Sequence, residues 1–242
     1  NNINFPALLK TSRMGYDGKG QARIDTLEQL GEVHQQWNHI PCVLEKFLPL
    51  QCEVSVVLAR GADGEVATFP VSENQHADGI LDISIVPARV SDAIKKQATE
   101  AAMRLAKELD YVGVLAVEFF VSADDSLLIN EIAPRPHNSG HYTIDACLTS
   151  QFEQQVRVLC GLPLGDTRQH SAAVMVNLLG DVWRDEKLSS DKILRHHNVK
   201  LHLYGKREAR PGRKMGHFTV LADDVNAALM KAQEIRTDLN KN

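Results

Sequence analysis

Long apolar runs are missing from this sequence. None reaches the roughly 18 residues that a membrane-spanning helix needs, and no leader-type segment opens the chain, so we expect a cytoplasmic protein. Cysteine is scarce: Cys42, Cys52, Cys147 and Cys160 are the only four in 242 residues. None forms a CxxC pair or sits in a His–Cys cluster, which excludes a disulfide framework and a zinc-ribbon type site and points to reduced thiols. A dominant charge is also missing. The 27 Lys and Arg against 31 Asp and Glu leave a net −4, which gives no general attraction for nucleic acid or an anionic membrane. What remains is ordinary for a globular chain, 43% hydrophobic and 24% charged, enough for one large domain or a large and a small one.

The most informative stretch is Val112–His141. Two apolar runs, Val114–Val121 and Leu127–Ile132, flank the polar turn Ser122–Ser126, which spells a β-hairpin. A turn centred on Asp124-Asp125 pairs 123 with 126, 120 with 129 and 118 with 131. Glu118 and Glu131 then share a face with Cβ atoms roughly 4.5–5.5 Å apart. Like charges so placed repel, unless one is protonated or a cation lies between them. The two readings are a solvated edge pair and a Mg²⁺ site, since carboxylates plus substrate phosphates are the usual Mg²⁺ set; the apolar setting favours the metal. The polar run that follows, Pro134-Arg135-Pro136-His137-Asn138-Ser139-Gly140-His141, offers donors suited to an anionic intermediate.

Upstream, Phe5–Thr11 reads as a strand carrying Lys10. It leads into Gly15-Tyr16-Asp17-Gly18-Lys19-Gly20-Gln21, with three glycines in six residues. Such a loop is either a plain turn or an anion cradle of backbone N–H groups. The opening Asn1-Asn2-Ile3-Asn4-Phe5-Pro6 reads as a start in mid-protein. Asp25 is expected to cap a helix reaching Gln36. Strands are expected at Pro41–Phe47, Leu50–Arg60 (containing Glu53) and Glu65–Pro70, with Glu45-Lys46-Phe47-Leu48 as the kind of connector against which a nucleotide base packs. Ser72–Gly79, with Glu73 and His76, reads as a polar loop, either exposed or facing a phosphate or sugar. Ser91 caps a helix to Leu109 with a stripe at Ile94, Ala98, Ala101, Ala102, Leu105 and Leu109. A helical stretch from Thr143 to Cys160 breaks at Ser150. A second region follows: strand Ala172–Leu178, a helix near Asp185–His197, strand Val199–Tyr204, the basic loop Gly205–Gly216, strand His217–Leu221, and a helix capped by Asp223 or Asp224. The loop holds five basic residues and one acid; it is either solvated or, through Lys206 and Arg213, a phosphate or carboxylate receptor.

In this order the segments resemble the ATP-grasp superfamily, and more narrowly the 5-(carboxyamino)imidazole ribonucleotide synthetases (the PurK family). The carriers are GYDGKGQ, Glu45–Leu48, Glu53, Glu73–His76, Glu118, Asn130-Glu131, Arg135, HNSGH and the Lys206…Arg213 loop. The resemblance implies an α+β ATP-grasp fold, antiparallel sheets with packed helices, over residues 1–168, plus a small C-terminal α/β region over 169–242. It implies ATP and Mg²⁺ as cofactors, 5-aminoimidazole ribonucleotide and bicarbonate as substrates, carboxyphosphate as intermediate, and a homodimer. By the same resemblance Lys10 and Gly15–Gln21 hold ATP phosphates. Glu45, Lys46, Phe47, Leu48, Glu53, His76, Asn130 and Glu131 complete the nucleotide site, and Glu118 and Glu131 bind Mg²⁺. Tyr16, Glu73, Arg135, His137, Asn138, Ser139, Lys206 and Arg213 meet the ribonucleotide or the intermediate. Asp17, His137, Lys206 and Arg213 are the catalytic candidates. The family also carries an N-terminal domain that this sequence lacks, so a fragment of low activity is expected. The alternatives are another ATP-grasp ligase of the formate-dependent glycinamide ribonucleotide type, which His137–His141 and Tyr16-Asp17 argue against, and a non-catalytic nucleotide-binding module.

Overall fold

The computed structural model describes residues 4–13, 15, 19–183 and 187–241. Its contacts separate two compact units: Asn1–Leu50 with His76–Ile80, and Gln51–Gln75 with Leu81–Asn242.

The first unit is built on a three-stranded antiparallel sheet. Strand β1 (Ala7–Thr11) lies between β2 (Gln21–Ile24) and β3 (Cys42–Lys46). Ala7, Leu9 and Ile24 are its buried residues on β1 and β2. Helix α1 (Leu27–Gln36) follows β2, and its N-cap is Thr26, whose hydroxyl accepts from the Gln29 N–H at 3.2 Å. Asp25, the expected cap, stands one residue too early. Its own N–H donates to Gln29 Oε1 at 2.8 Å, so the two residues share the work of a capping box.

The second unit holds a nine-stranded sheet in the order β11-β12-β10-β7-β6-β4-β8-β9, with β5 beside β4. Its strands are β4 (Leu50–Arg60), β5 (Val66–Thr68), β6 (Ser72–Ala77), β7 (Ile80–Val86), β8 (Gly113–Ser122), β9 (Leu127–Ala133), β10 (Ala172–Leu179), β11 (Val199–Leu203) and β12 (Lys214–Ala222). Helix α2 (Asp92–Glu108) starts at Ser91, whose hydroxyl accepts from the Ile94 N–H. It buries Ile94, Ala98, Ala102 and Ala106 against Val54, Val56, Leu58, Leu115, Val117 and Phe119. Leu109, expected in that stripe, lies beyond the helix and is 56% exposed. The alternate residues Val57, Ala59, Val114 and Ala116 face a second core with Tyr142 and Met175. The centre of the sheet is therefore covered on both faces, which is why β4 and β8 read as continuous apolar runs. Helices α3 (Thr143–Ala146) and α4 (Gln151–Leu159, capped by Ser150) follow the hairpin, α5 (Ser190–Leu194) is a short turn, and α6 (Val225–Asn240) is capped by Asp224. Helix α6 packs Ala228, Ala232, Ile235 and Leu239 on Val174, Val176, Phe218 and Val220.

Strands β10, β11 and β12 continue the same sheet as β4 and β8. One expectation changes here. Ser72–Ala77 is an interior strand with Ser72, Glu73 and Asn74 buried, where a polar loop was expected. Its polar side chains find partners from other strands: Asn74 donates to Ser55 Oγ at 3.0 Å, Ser84 Oγ donates to Asn74 Oδ1 at 3.0 Å, and Ser55 and Ser72 share a hydrogen bond of 2.7 Å. A buried polar group is tolerated when it is paired. Among the described residues no helix is long and apolar enough to cross a membrane.

Candidate active site

Glu118 and Glu131 are cross-strand partners on β8 and β9. The route to that register differs from the symmetric hairpin. The Ser122 N–H donates to Ser126 O at 2.9 Å, and Asp125 adopts a left-handed φ of 61°, which makes a three-residue loop of the bulge-forming kind. Phe120 therefore faces Leu128 and Phe119 faces Ile129, one residue off the expected pairing. A bulge between Glu118 and Phe119 takes up Asn130 and restores the alignment at Glu131. Glu118 is buried, Glu131 is exposed, and with His137 they place ligand atoms within 4.8 Å of one another. His137 Nε2 lies 3.5 Å from the Glu118 carboxylate. Two carboxylates converging beside an imidazole, one of them buried, are a donor set that a hard divalent cation fits.

The segment after β9 is held from behind. Gln151, fully buried at the start of α4, accepts from the His137 N–H at 2.9 Å and donates to His137 O at 2.7 Å. A side chain at Gly140 would collide with the Gln151 amide, so this position needs glycine. Asn138 exchanges two hydrogen bonds with Asn177 of β10, at 3.0 and 2.7 Å. Ser139, expected to touch substrate, is fully buried, with its hydroxyl bonded to His137 Nδ1 at 2.9 Å and to Ser55 at 2.8 Å. It orients the imidazole from below. Arg135 is exposed and donates to Pro136 O.

Glu73 was expected to bind substrate, and here Arg89 occupies its carboxylate through backbone N–H and guanidinium together. Burial raises the Glu73 pKa, but the Arg89 hydrogen bonds and charge outweigh it and hold the carboxyl below its usual range. Glu53 sits half-buried on β4, paired across from Asn74.

Lys206 and Arg213 lie on the connection between β11 and β12, which is shorter than expected because β12 begins at Lys214. This connection is pinned at several points. Gly212 N–H donates to Asp181 at 2.7 Å, Gly180 N–H donates to Arg213 O at 2.8 Å, and the backbone of Arg210 passes so close to Gly180 that no Cβ would fit there. Arg213 also donates to Glu208 O.

In the first unit, Lys10 forms a 2.6 Å ion pair with Glu45 across β1 and β3. Phe47 and Leu48 form the connection after β3, with the Arg23 guanidinium 4.6 Å from the Phe47 ring centre. Gly20 has φ of 73° and a Cβ there would collide with the Thr11 hydroxyl, and the Thr11 N–H donates to Gly20 O at 2.8 Å. Gly15, Lys19 and Gln21 flank this turn; Tyr16, Asp17 and Gly18 lie outside the described residues. His76 belongs to this unit.

Residues that pattern reading passed over are Arg89, Gln151, Asn177, His202 and His217. Gln151 could have been noticed, as a polar residue at the first turn of a helix that otherwise shows apolar spacing.

Two family models and several relatives of known name match this chain. Residues 1–152 match the family model of the ATP-grasp domain, and residues 173–231 match that of the phosphoribosylaminoimidazole carboxylase C-terminal domain. The chain is 49% identical over 219 residues to an N5-carboxyaminoimidazole ribonucleotide synthase of Bacillus subtilis, covering 90% of this chain and 57% of the relative. It is 52% identical over 214 residues to the same-named protein of Brucella melitensis, covering 88% and 58%. Its fold matches the crystal structure of an ADP complex of N5-carboxyaminoimidazole ribonucleotide synthetase with a TM-score of 0.87 at 47% identity, over 96% of this chain and 61% of that one. It also matches the Aspergillus clavatus enzyme in complex with ADP and 5-aminoimidazole ribonucleotide, TM-score 0.89 at 33% identity, over 98% and 62%. The chain thus spans about 57–62% of the length of these relatives.

Proposed function

Because this chain belongs to the ATP-grasp family, we propose that it serves the ATP- and bicarbonate-dependent carboxylation of 5-aminoimidazole ribonucleotide, giving the 5-carboxyamino product, ADP and phosphate. The names of its relatives support that reading, as does the ADP and ribonucleotide complex of one of them. The observation that carries it is the cross-strand Glu118–Glu131 pair beside His137. These two carboxylates would hold Mg²⁺, which supplies charge neutralisation to the transferring phosphoryl group when bound.

In this reading bicarbonate oxygen attacks the γ-phosphorus and the bond to ADP breaks, leaving carboxyphosphate. The ribonucleotide amine then attacks its carbonyl carbon, a proton leaves the amine, and phosphate departs. The chain's own residues bind and orient these species. By the resemblance, Lys10 and the Gly15–Gln21 segment would take the nucleotide phosphates, the 45–48 connection and His76 are assigned to the nucleotide from the same unit, and Glu53 and Asn130 are assigned to it from the other unit. Lys206, Arg213 and Arg135 counter the charge of the ribonucleotide and intermediate. His137, held in place by Gln151 and Ser139, is suited to receive the amine proton, with Asp17 as the other candidate. A homodimeric, cytoplasmic enzyme completes the proposal, and the four free thiols suit a reducing compartment.

The test is product formation followed by release of ADP and by ¹³C-bicarbonate incorporation, with formate offered in a parallel reaction. Bicarbonate-specific ADP release that requires the ribonucleotide supports the reading; turnover with formate instead, or ATP cleavage indifferent to the ribonucleotide, overturns it.

A further inference from the structure

One cluster has no part in the chemistry above. Asp145 of α3, His202 of β11 and His217 of β12 bring ligand-type atoms within 4.8 Å of one another. His217 is 1% exposed. Its Nδ1 shares a 2.9 Å hydrogen bond with the Tyr204 hydroxyl, while its Nε2 is buried and meets no partner among the described residues. The His202 ring stacks on it at 4.6 Å between centres and 17° between planes, and His202 Nε2 lies 2.8 Å from Asp145 Oδ2. A chelated ion would need both imidazole planes to converge on one point. Nearly parallel stacked rings send their lone pairs past each other, so this arrangement is a stack rather than a metal centre.

The stack touches both arms of the substrate site. Tyr204 leads directly into Gly205 and Lys206, and the Lys206 ammonium stands 5.6 Å from the centre of the Tyr204 ring, within cation–π range. On the other side the His141 ring lies 5.1 Å from His217 and 6.1 Å, edge-on, from Tyr204. Gln151 bonds His141 Nδ1 at 3.1 Å with the same amide that holds His137. Contacts run unbroken from Lys206 through Tyr204, His217, His141 and Gln151 to His137.

We propose that Tyr204 and His217 are positioning residues, which set Lys206 relative to His137 and so fix the span over which the ribonucleotide and its carboxylating intermediate are held. This rests on the ligase reading. Burial also keeps His217 neutral, with a pKa lowered to about 2, so the support adds no charge to compete with Lys206 for an anion.

Three variants separate the parts. Tyr204→Phe removes the hydroxyl and keeps the ring under Lys206. His217→Asn keeps a polar atom near Nδ1, and His217→Leu keeps none. Loss of one buried hydrogen bond corresponds to roughly tenfold, so KM for the ribonucleotide should rise about 10-fold or more in His217→Leu and about 5-fold in Tyr204→Phe. His217→Asn should recover most of the loss, and KM for ATP should stay within about twofold throughout. Amide hydrogen exchange across residues 205–213, measured without substrate, should quicken in Tyr204→Phe and in His217→Leu, and stay near the parent rate in His217→Asn. Equal rises in both KM values, or unchanged exchange in Tyr204→Phe, would overturn the proposal and leave the cluster as plain core. If His217→Leu does not fold, the other two variants still decide. Turnover of the unsubstituted protein with formate in place of bicarbonate would sink the carboxylation reading instead, and the exchange data alone would then judge the positioning.

Discussion

Two clusters of the second unit bring a carboxylate and an imidazole together, and they are built in opposite ways. At the β8–β9 hairpin, two carboxylates meet one histidine, and Glu131 is open to solvent. Between α3, β11 and β12, one carboxylate meets two histidines, and His217 is sealed inside. The first concentrates negative charge where a cation can reach it. The second holds a single carboxylate, and burial keeps His217 and the neighbouring His141 neutral, with pKa values lowered to about 2 and about 4. The lesson is that the residue types alone do not make a cation site; the count of carboxylates and their access to water decide it.

The sharpest way to break this contrast is Glu118→Gln. It removes one charge from the hairpin pair and keeps the shape. Mn²⁺ affinity in the presence of ATP, read by electron paramagnetic resonance, should fall by about 100-fold or more, in line with removing a metal-binding carboxylate whose charge the cation needs. Binding within a few-fold of the parent would show that the hairpin pair is an ordinary solvated edge and that both clusters are structural.

Acid should expose the second cluster instead. His141 is held down by burial first, then by the nearby Lys214 and His202; His217 is held down by burial, then by His141 and His202. A histidine whose pKa is lower in the folded state than in the unfolded chain takes up its proton more readily when unfolded. Stability is therefore full above about pH 6.5 and drains away as pH falls from there toward the folded value, by on the order of 2 kcal/mol for each such histidine at pH 5. Urea melts at pH 7.5 and pH 5 should show this loss, and His141→Gln should remove about half of it, whereas Glu131→Gln should leave it in place. An identical pH dependence in His141→Gln would mean that the loss originates elsewhere.

How far this contrast could be read in advance depended on distance along the chain. Ser91, Ser150 and Asp224 cap helices through N–H groups two or three residues away, and such local bonds are legible. The run from Leu50 to Arg60 was legible as well, because burial on both faces writes itself as unbroken apolarity. The Glu118–Glu131 pairing was reached through a symmetric turn that does not form; the bulge at Asn130 offsets the one-residue shift that the longer, three-residue loop introduces. Ser72–Ala77 was misread because its partners, Ser55 and Ser84, come from other strands. The stack of His202 on His217 depends on β11 and β12 pairing at those two positions, and no spacing rule links them to Asp145 or His141. Tyr16 and Asp17 fall outside the described residues, so their expected roles rest on the resemblance.

The smallest effect separates a charged contact from a polar one inside the second cluster. Asp145 lies 2.8 Å from His202 Nε2, with the imidazole 30% exposed at its side chain. Asp145→Asn keeps an oxygen that can accept from that nitrogen and deletes only the charge. If the pair acts as a neutral hydrogen bond supporting the stack, the loss at pH 7.5 should be about 0.5 kcal/mol, the scale of a partly solvated polar contact. Removing a carboxylate from a desolvated ion pair is a different event, because it strands the partner's charge, and would cost about 3 kcal/mol or more. A loss of that size in a chemical melt would mean that the carboxylate's charge supports the cluster, and the contrast with the hairpin would then rest on access to water alone.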